Sequence, residues 1–67
     1  MLFSEKVKLV RESLGLSQEK LAVKLGVSFS TVNRWEKKHA MPSYLALEKF
    51  NLLCKENNIV FEGENNE

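Results

Sequence analysis

The sequence predicts an all-α fold, a single domain of four or five short helices, and three observations support this prediction. Apolar residues recur three and four positions apart along most of the chain, which is the spacing of one face of a helix. Serines stand where these apolar stripes begin, and Gly15 and Gly26 stand where two of them end. With 67 residues the chain has room for only one domain.

The first two helices are predicted to lie on either side of Gly15. Ser4 can cap the first helix, because its hydroxyl can accept a hydrogen bond from a free backbone N–H. Ser17 can cap the second helix, which ends at Gly26. The predicted buried stripes are Val7, Val10 and Leu14 in the first helix and Leu21, Ala22 and Leu25 in the second.

The third and fourth helices are predicted to begin at Ser28 and Ser43. Val32 and Trp35 face the core from the third helix. A loop separates the two helices, because Pro42 disfavours helical geometry in the residue before it. On the fourth helix the predicted stripe consists of Leu47, Phe50 and Cys54, with Leu45 and Leu52 off it.

The helical domain is assigned to residues 1–57, and a different composition follows in residues 58–67. The stretch NNIVF, residues 57–61, is either a short strand or an apolar clip over the core. Residues 62–67 are polar and acidic and are predicted to be disordered. Five apolar residues outside the main stripes either form a dimer contact or close the core of the monomer: Leu45, Leu52, Ile59, Val60 and Phe61.

Composition argues against several functional classes. No apolar run approaches the roughly 18 residues of a membrane span, and the first ten residues are too charged for a signal peptide, so a cytoplasmic protein is expected. Cys54 is the only cysteine and is expected to be buried. His39 is the only histidine, so a Cys/His catalytic pair and a metal site both lack residues. We therefore predict no enzymatic activity, no cofactor and no metal.

Charge is distributed unevenly along the chain. Residues 1–38 carry eight basic and four acidic side chains, a net charge of +4, whereas residues 39–67 carry two basic and five acidic ones, a net charge of −3. Segregated charge produces a local field even though the total is only +1. The first part of the chain is therefore suited to an anionic partner.

The second and third predicted helices, joined around Gly26, have the arrangement of a helix-turn-helix motif. Ala22 is small where the second helix has to cross closely, and Gly26 permits the turn. The segment LSQEKLAVKLGVSFSTVNRWEKKHAMPS, residues 16–43, resembles the phage-repressor/Cro-like helix-turn-helix family, also called the Xre family, and the resemblance extends over about residues 4–55. It implies a compact, lambda-repressor-like bundle that binds DNA through a helix-turn-helix at residues 17–37, although the fifth helix usual in that family is not apparent here.

The resemblance places the third helix, residues 28–37, in the major groove of double-stranded DNA. The residues expected to contact bases are Phe29, Ser30, Asn33 and Arg34. The guanidinium of Arg34 matches the O6 and N7 acceptors of guanine. Asn33 either pairs with adenine or holds a phosphate, and Phe29 either meets a thymine methyl or folds back onto the core.

Phosphate contacts are implied at the N-termini of the second and third helices, where free N–H groups and the helix dipole favour anions. The residues assigned to phosphates are Gln18, Ser28, Thr31, Lys37, Lys38 and His39. The resemblance also implies a partly buried structural ion pair between Arg11 of the first helix and Glu36 of the third.

Two functions fit these features. The first is a sequence-specific transcriptional regulator, a repressor of prokaryotic or phage type, that binds a palindromic operator as a homodimer. The second keeps the DNA-binding fold but acts as the antitoxin of a toxin–antitoxin pair, or as another partner-binding regulator, with the C-terminal segment docking a protein. The apolar triplet at residues 59–61 followed by acidic residues suits the second function.

Overall fold

Four helices run through the residues that the structure, a computed structural model, describes: 1–37 and 40–61. They are α1 (Phe3–Ser13), α2 (Gln18–Leu25), α3 (Phe29–Lys37) and α4 (Tyr44–Glu56). No strand occurs within these ranges, so the predicted all-α class is confirmed. None of the four helices has the length and apolar character needed to cross a membrane.

Serine side chains cap three of the four helices, as predicted. In each case Oγ accepts a hydrogen bond from the backbone N–H three residues later: Ser17 from Lys20 at 3.1 Å, Ser28 from Thr31 at 3.1 Å and Ser43 from Ala46 at 3.2 Å. Each bond satisfies a donor that has no acceptor within its own helix. The caps therefore fix where α2, α3 and α4 begin.

The start of α1 differs from the prediction. The helix begins at Phe3 with Leu2 as the cap residue, and the carboxylate of Glu5 accepts a hydrogen bond from the backbone N–H of Leu2 at 3.1 Å. Ser4 therefore lies within the first turn and does not cap the helix. A glutamate at this position can hold the N-terminus without a serine cap, because it reaches back to a free donor.

The earlier start of α1 brings Phe3 into the apolar stripe, a contact that sequence reasoning missed. The ring of Phe3 packs edge-on against Trp35 of α3 and Phe50 of α4, with centroid distances of 5.4 Å and 5.2 Å. Such edge-to-face pairs stabilise beyond the area they bury. Three helices thus meet at one aromatic residue near the N-terminus.

One turn geometry ends three of the helices. Gly15 and Gly26 have φ of 66° and 70°, and Asn58 has φ of 57°. The residue after each of them donates a backbone hydrogen bond to the carbonyl five positions earlier. The three bonds are Leu16 to Arg11 at 2.9 Å, Val27 to Ala22 at 3.0 Å and Ile59 to Cys54 at 2.9 Å. This bond around a left-handed residue is the Schellman motif, which lets the chain leave the helix at once.

The core lies between the four helices. On α1, α2 and α3 the structure buries seven of the residues predicted to face the core: Val7, Val10, Leu21, Ala22, Leu25, Val32 and Trp35. On α4 the prediction was partly wrong, because Leu47 is only partly buried whereas Ala46 and Leu53 are buried beside Phe50 and Cys54. Apolar residues nearly surround α4, so helical spacing alone did not select the face that packs on the core.

Residues 59–61 form an apolar clip and not a strand. Phe61 is only 8% exposed and Ile59 packs against the core, whereas Val60 is 71% exposed. The amino group of Lys6 on α1 lies 5.2 Å from the centre of the Phe61 ring. Of the five residues weighed as a dimer contact, Ile59 and Phe61 therefore close the monomer, and the other three are exposed. The tail at residues 62–67, predicted to be disordered, lies outside the described residues.

Replacing Phe61 with alanine should destabilise the protein by about 3 kcal/mol, because it removes a buried aromatic side chain. Val60→Ala, one residue earlier but exposed, is the matched control and should change stability by less than about 0.5 kcal/mol. Urea unfolding followed by the fluorescence of Trp35, the single tryptophan, measures both changes. Equal effects of the two substitutions would contradict the packing of Phe61.

Candidate nucleic-acid interface

The side of α3 that faces solvent carries three of the four side chains expected to contact bases. Val32 and Trp35 hold the opposite side of the helix on the core. Ser30 and Arg34 are exposed, and Phe29 is 47% exposed. The exposure of Ser30 and Arg34 follows from helical periodicity, because residues four apart on α3 share a face. Phe29, three positions before the buried Val32, is exposed although periodicity places it near the inner side.

Phe29 stands clear of the core at the first position of α3. It belongs neither to the buried residues nor to the partly buried apolar residues that pack around them. The ring is therefore not buried in the core, although about half of its surface is covered. An exposed aromatic residue here leaves an apolar surface at the N-terminal end of the helix.

An ion pair between Arg11 and Glu36 connects α1 to α3. Nε of Arg11 donates to Oε2 of Glu36 at 2.7 Å, and Nη2 donates to Oε1 at 3.1 Å. The third nitrogen, Nη1, donates to the carbonyl of Leu16 at 3.2 Å, in the turn before α2. Two parallel bonds of this kind are among the strongest charge-assisted contacts in proteins.

Gln18 and Asn33 extend this pair into a network of four side chains. Nε2 of Gln18, the first residue of α2, donates to Oε1 of Glu36 at 3.1 Å. Nδ2 of Asn33 then donates to Oε1 of Gln18 at 3.0 Å. We call Arg11, Gln18, Asn33 and Glu36 the interhelical network, because it joins α1, α2 and α3.

The interhelical network adds a role for two residues that were assigned to DNA alone. The amide of Gln18 uses its oxygen and one N–H within the protein, and its second N–H has no acceptor among the described residues. Asn33 is only partly exposed and donates one N–H to Gln18, which keeps its carbonyl oxygen and second N–H for other partners. Sequence spacing gave no signal for these contacts, because they join different helices.

The network holds Glu36 in its charged form. Burial alone would raise the pKa of Glu36, but hydrogen bonds from Arg11 and Gln18, together with the positive charge of Arg11, outweigh burial and lower it. The hydrogen bond to Glu36 raises the pKa of Arg11 in turn. Both side chains are mostly shielded from water, with 20% of Arg11 and 8% of Glu36 exposed. The carboxylate is thus a fixed negative charge that faces the interior.

Two hydroxyl groups stand together at the N-terminus of α3. Oγ of Ser28 and Oγ1 of Thr31 lie 2.9 Å apart and share one hydrogen bond, and Ser28 also accepts from the backbone N–H of Thr31. Since the pair has two hydroxyl hydrogens and uses one between them, the other remains for an outside acceptor. The Ser28 cap therefore leaves one hydroxyl hydrogen of this pair available as a donor.

Basic residues flank the exposed side of α3. Arg34 is exposed and borders a shallow groove between α3 and the start of α4, lined also by Thr31 and Met41. Lys37 is exposed at the last position of α3. Lys38 and His39, the other two residues assigned to phosphates, lie outside the described residues.

Metal-ligating side chains do not cluster among the described residues. These residues contain no group of three or more His, Cys, Asp or Glu side chains able to hold a metal ion. Cys54 is buried on α4. The chemistry available on the exposed side of α3 is hydrogen bonding, positive charge and apolar contact.

In a comparison with protein families, residues 7–53 match a family described as helix-turn-helix. This range covers more than half of the chain and contains α2, α3 and the whole interhelical network. No curated protein and no solved structure matches the chain.

Replacing only one partner of the Arg11–Glu36 pair should lower the free energy of unfolding more than replacing both. Arg11→Met leaves a partly buried carboxylate with Gln18 as its only described side-chain donor, and we expect a loss of about 3 kcal/mol in the free energy of unfolding. The double variant Arg11→Met/Glu36→Leu should lie within about 1 kcal/mol of the wild type. Urea unfolding at neutral pH measures both. A double variant less stable than Arg11→Met would contradict the prediction.

Proposed function

The chain belongs to the phage-repressor/Cro-like helix-turn-helix family and is a DNA-binding transcription regulator of that type, and on this premise we propose that it is a sequence-specific repressor that places α3 in the major groove of double-stranded DNA. The observation that supports this proposal is the division of α3. Its inner side is fixed by Val32, Trp35 and the interhelical network, and its outer side presents polar, basic and apolar side chains.

Base recognition is assigned to Phe29, Ser30, Asn33 and Arg34. Arg34 is the main specificity residue, because its planar guanidinium can donate two bonds to guanine O6 and N7. The side chain of Ser30 is short, and its hydroxyl can form hydrogen bonds with the edges of several different bases. Phe29 contributes an apolar contact to a thymine methyl group, which its exposure supports. Asn33 contacts the base or phosphate next to these residues while Gln18 fixes its orientation.

Phosphate contacts are assigned to the N-termini of α2 and α3 and to the basic end of α3. The free N–H of Gln18 and the free hydroxyl hydrogen of the Ser28–Thr31 pair are the donors at the two N-termini. Lys37, followed by Lys38 and His39, extends the positive surface along the backbone. These contacts set the register of α3, and the base contacts then set specificity.

The regulator is proposed to bind as a homodimer to a palindromic operator in the cytoplasm. A two-fold symmetric protein reads two half-sites about one helical turn apart, roughly 34–36 Å or 10–10.5 base pairs. Doubling the number of base contacts also doubles the sequence information read. A single α3 of nine residues is too short to read more than a few base pairs.

The antitoxin alternative needs a free C-terminal docking segment. Ile59 and Phe61 pack on the core, so Val60 is the one exposed member of the apolar triplet. This packing favours the repressor role, since little of the triplet is free to bind a protein. Removing residues 62–67 while keeping the clip separates the roles: an antitoxin would lose its protein partner and keep its DNA.

Arg34→Ala should weaken binding to the operator by about 1–3 kcal/mol and relax one base position in each half-site. Lys37→Ala should weaken binding to all sequences alike. It should also reduce the slope of the logarithm of the binding constant against the logarithm of salt concentration by about one per subunit. Fluorescence anisotropy on the operator and its single-base variants, from low to moderate salt, measures these effects. Lys55→Ala, a lysine of α4 outside the proposed contacts, is the control. Unchanged base preferences in Arg34→Ala would contradict the assignment.

Replacing thymine with deoxyuracil at the base facing Phe29 should weaken wild-type binding roughly fourfold, because one buried methyl group is worth about 0.8 kcal/mol. In Phe29→Ala the same replacement should have no effect, since the apolar partner is absent. Titration of each protein against each duplex gives the comparison. A methyl effect that persists in Phe29→Ala would assign the thymine contact to another residue.

A further inference from the structure

The side of α4 that faces away from the core carries an apolar and charged stripe that the proposed DNA contacts leave unused. Leu45 and Leu52 are 61% and 54% exposed, and Glu48 and Lys49 between them are also exposed. At about 100° per residue these four positions span an arc of about 100°. They line one shallow depression together with Asn51. We call Leu45, Glu48, Lys49 and Leu52 the α4 stripe.

The order of residues in the α4 stripe is self-complementary. Glu48 and Lys49 are adjacent, and each lies three positions from a leucine, Leu45 before and Leu52 after. The four positions are therefore symmetric about the midpoint between Glu48 and Lys49. A two-fold axis through that midpoint, perpendicular to the helix, would place Leu45 opposite Leu52 of a second copy. The same axis places Glu48 opposite Lys49. A closed dimer requires such a patch, because each surface residue must suit its symmetry mate.

We propose that the α4 stripe is the surface through which two copies of this chain pair, with their α4 helices antiparallel. The inference rests on the proposed function only in supplying the homodimer that a palindromic operator requires. Each dimer would contain two Leu45–Leu52 contacts and two Glu48–Lys49 pairs. The leucines supply apolar burial and the charges select the antiparallel register, since a parallel pairing would bring like residues together.

The surface beside the α4 stripe fits the same partner. A second depression, lined among others by Val23, Lys24, Lys49, Leu52 and Glu56, joins α4 to the end of α2. Val23 is 81% exposed there and extends the apolar area next to Leu52. Leu45 of the second copy would enter this depression as it packs on Leu52.

Lys49 can reach the second copy by a change of side-chain conformation. Its amino group lies beside the turn at Gly26, 3.2 Å from the site that a Cβ would occupy there. The side chain has four rotatable bonds, so it can swing from the turn to a carboxylate on a second copy. None of the residues in the α4 stripe is among the proposed DNA contacts, and one chain can therefore use both surfaces.

Charge reversal tests the pairing. Glu48→Lys and Lys49→Glu each bring like charges together twice in the dimer, and each should weaken dimerisation about tenfold. The double variant Glu48→Lys/Lys49→Glu restores opposite charges and should return the dimerisation constant to within about twofold of the wild type. Sedimentation equilibrium of the full chain, without DNA, measures the constants, and circular dichroism checks that each variant is folded.

Leucine variants test the apolar part of the same contact. Leu52→Ser should leave a folded monomer at concentrations at which the wild type is dimeric. Met41→Ser, an exposed apolar residue outside the α4 stripe, is the matched control and should leave the dimer unchanged. A protein that stays monomeric throughout, or a dimer that neither the charge reversals nor Leu52→Ser affects, would overturn the proposal. So would a folded double charge variant that remains as weak as the single ones.

Failure of this inference is distinguishable from failure of the proposed function. If the protein binds its operator while Leu52→Ser leaves both dimerisation and DNA affinity unchanged, the repressor proposal stands and the α4 surface is wrong. If the double charge variant regains the dimerisation constant of the wild type but no duplex is bound selectively, the α4 pairing is supported and the repressor proposal fails. Capture of a different protein by the α4 stripe of a monomeric chain would also overturn the inference.

Discussion

The partly buried carboxylate of Glu36 is the constraint on which the arrangement of the first three helices depends. A negative charge shielded from water is costly unless opposite charge and hydrogen-bond donors surround it. Glu36 obtains them from Arg11 on α1 and from Gln18 on α2, at distances of 2.7–3.1 Å. Since the donors come from two helices and the acceptor from a third, their side chains are satisfied together only when α3 crosses α1 and α2 in one orientation. We therefore expect the network to specify geometry more than it adds stability.

A fixed α3 is what the function of this fold requires. A domain of 67 residues has a small core and is marginally stable, so few contacts are available to hold α3 in place beside the network. The aromatic contacts of Phe3, the Schellman turns at Gly15 and Gly26 and the clip at Phe61 supply the rest. Reading of base edges depends on side chains held within a fraction of an ångström. The hydrogens of Gln18 and of the Ser28–Thr31 pair that have no acceptor among the described residues lie on the same framework.

Much of this fold can be predicted from the sequence, for identifiable reasons. Serine caps and left-handed glycines are local signals, so the limits of α2 and α3 and the cap of α4 were predicted correctly. Ser4 was wrong as a cap because Glu5 supplies the same function from inside the helix. The buried face of α4 was partly wrong because its apolar residues nearly surround it. Within the candidate site, the exposure of Ser30 and Arg34 follows from periodicity, but the Gln18–Glu36 and Asn33–Gln18 bonds depend on how helices cross. No spacing along one chain encodes such contacts.

The central claim, that the outer side of α3 reads sequence in duplex DNA, is tested most directly by selecting binding sites for the purified wild-type protein from a pool of random duplexes. We expect a palindromic site whose half-sites lie about one helical turn apart, with a guanine and a thymine among the fixed positions of each half. Selection of no consensus, with binding that depends on salt alone, would contradict the claim.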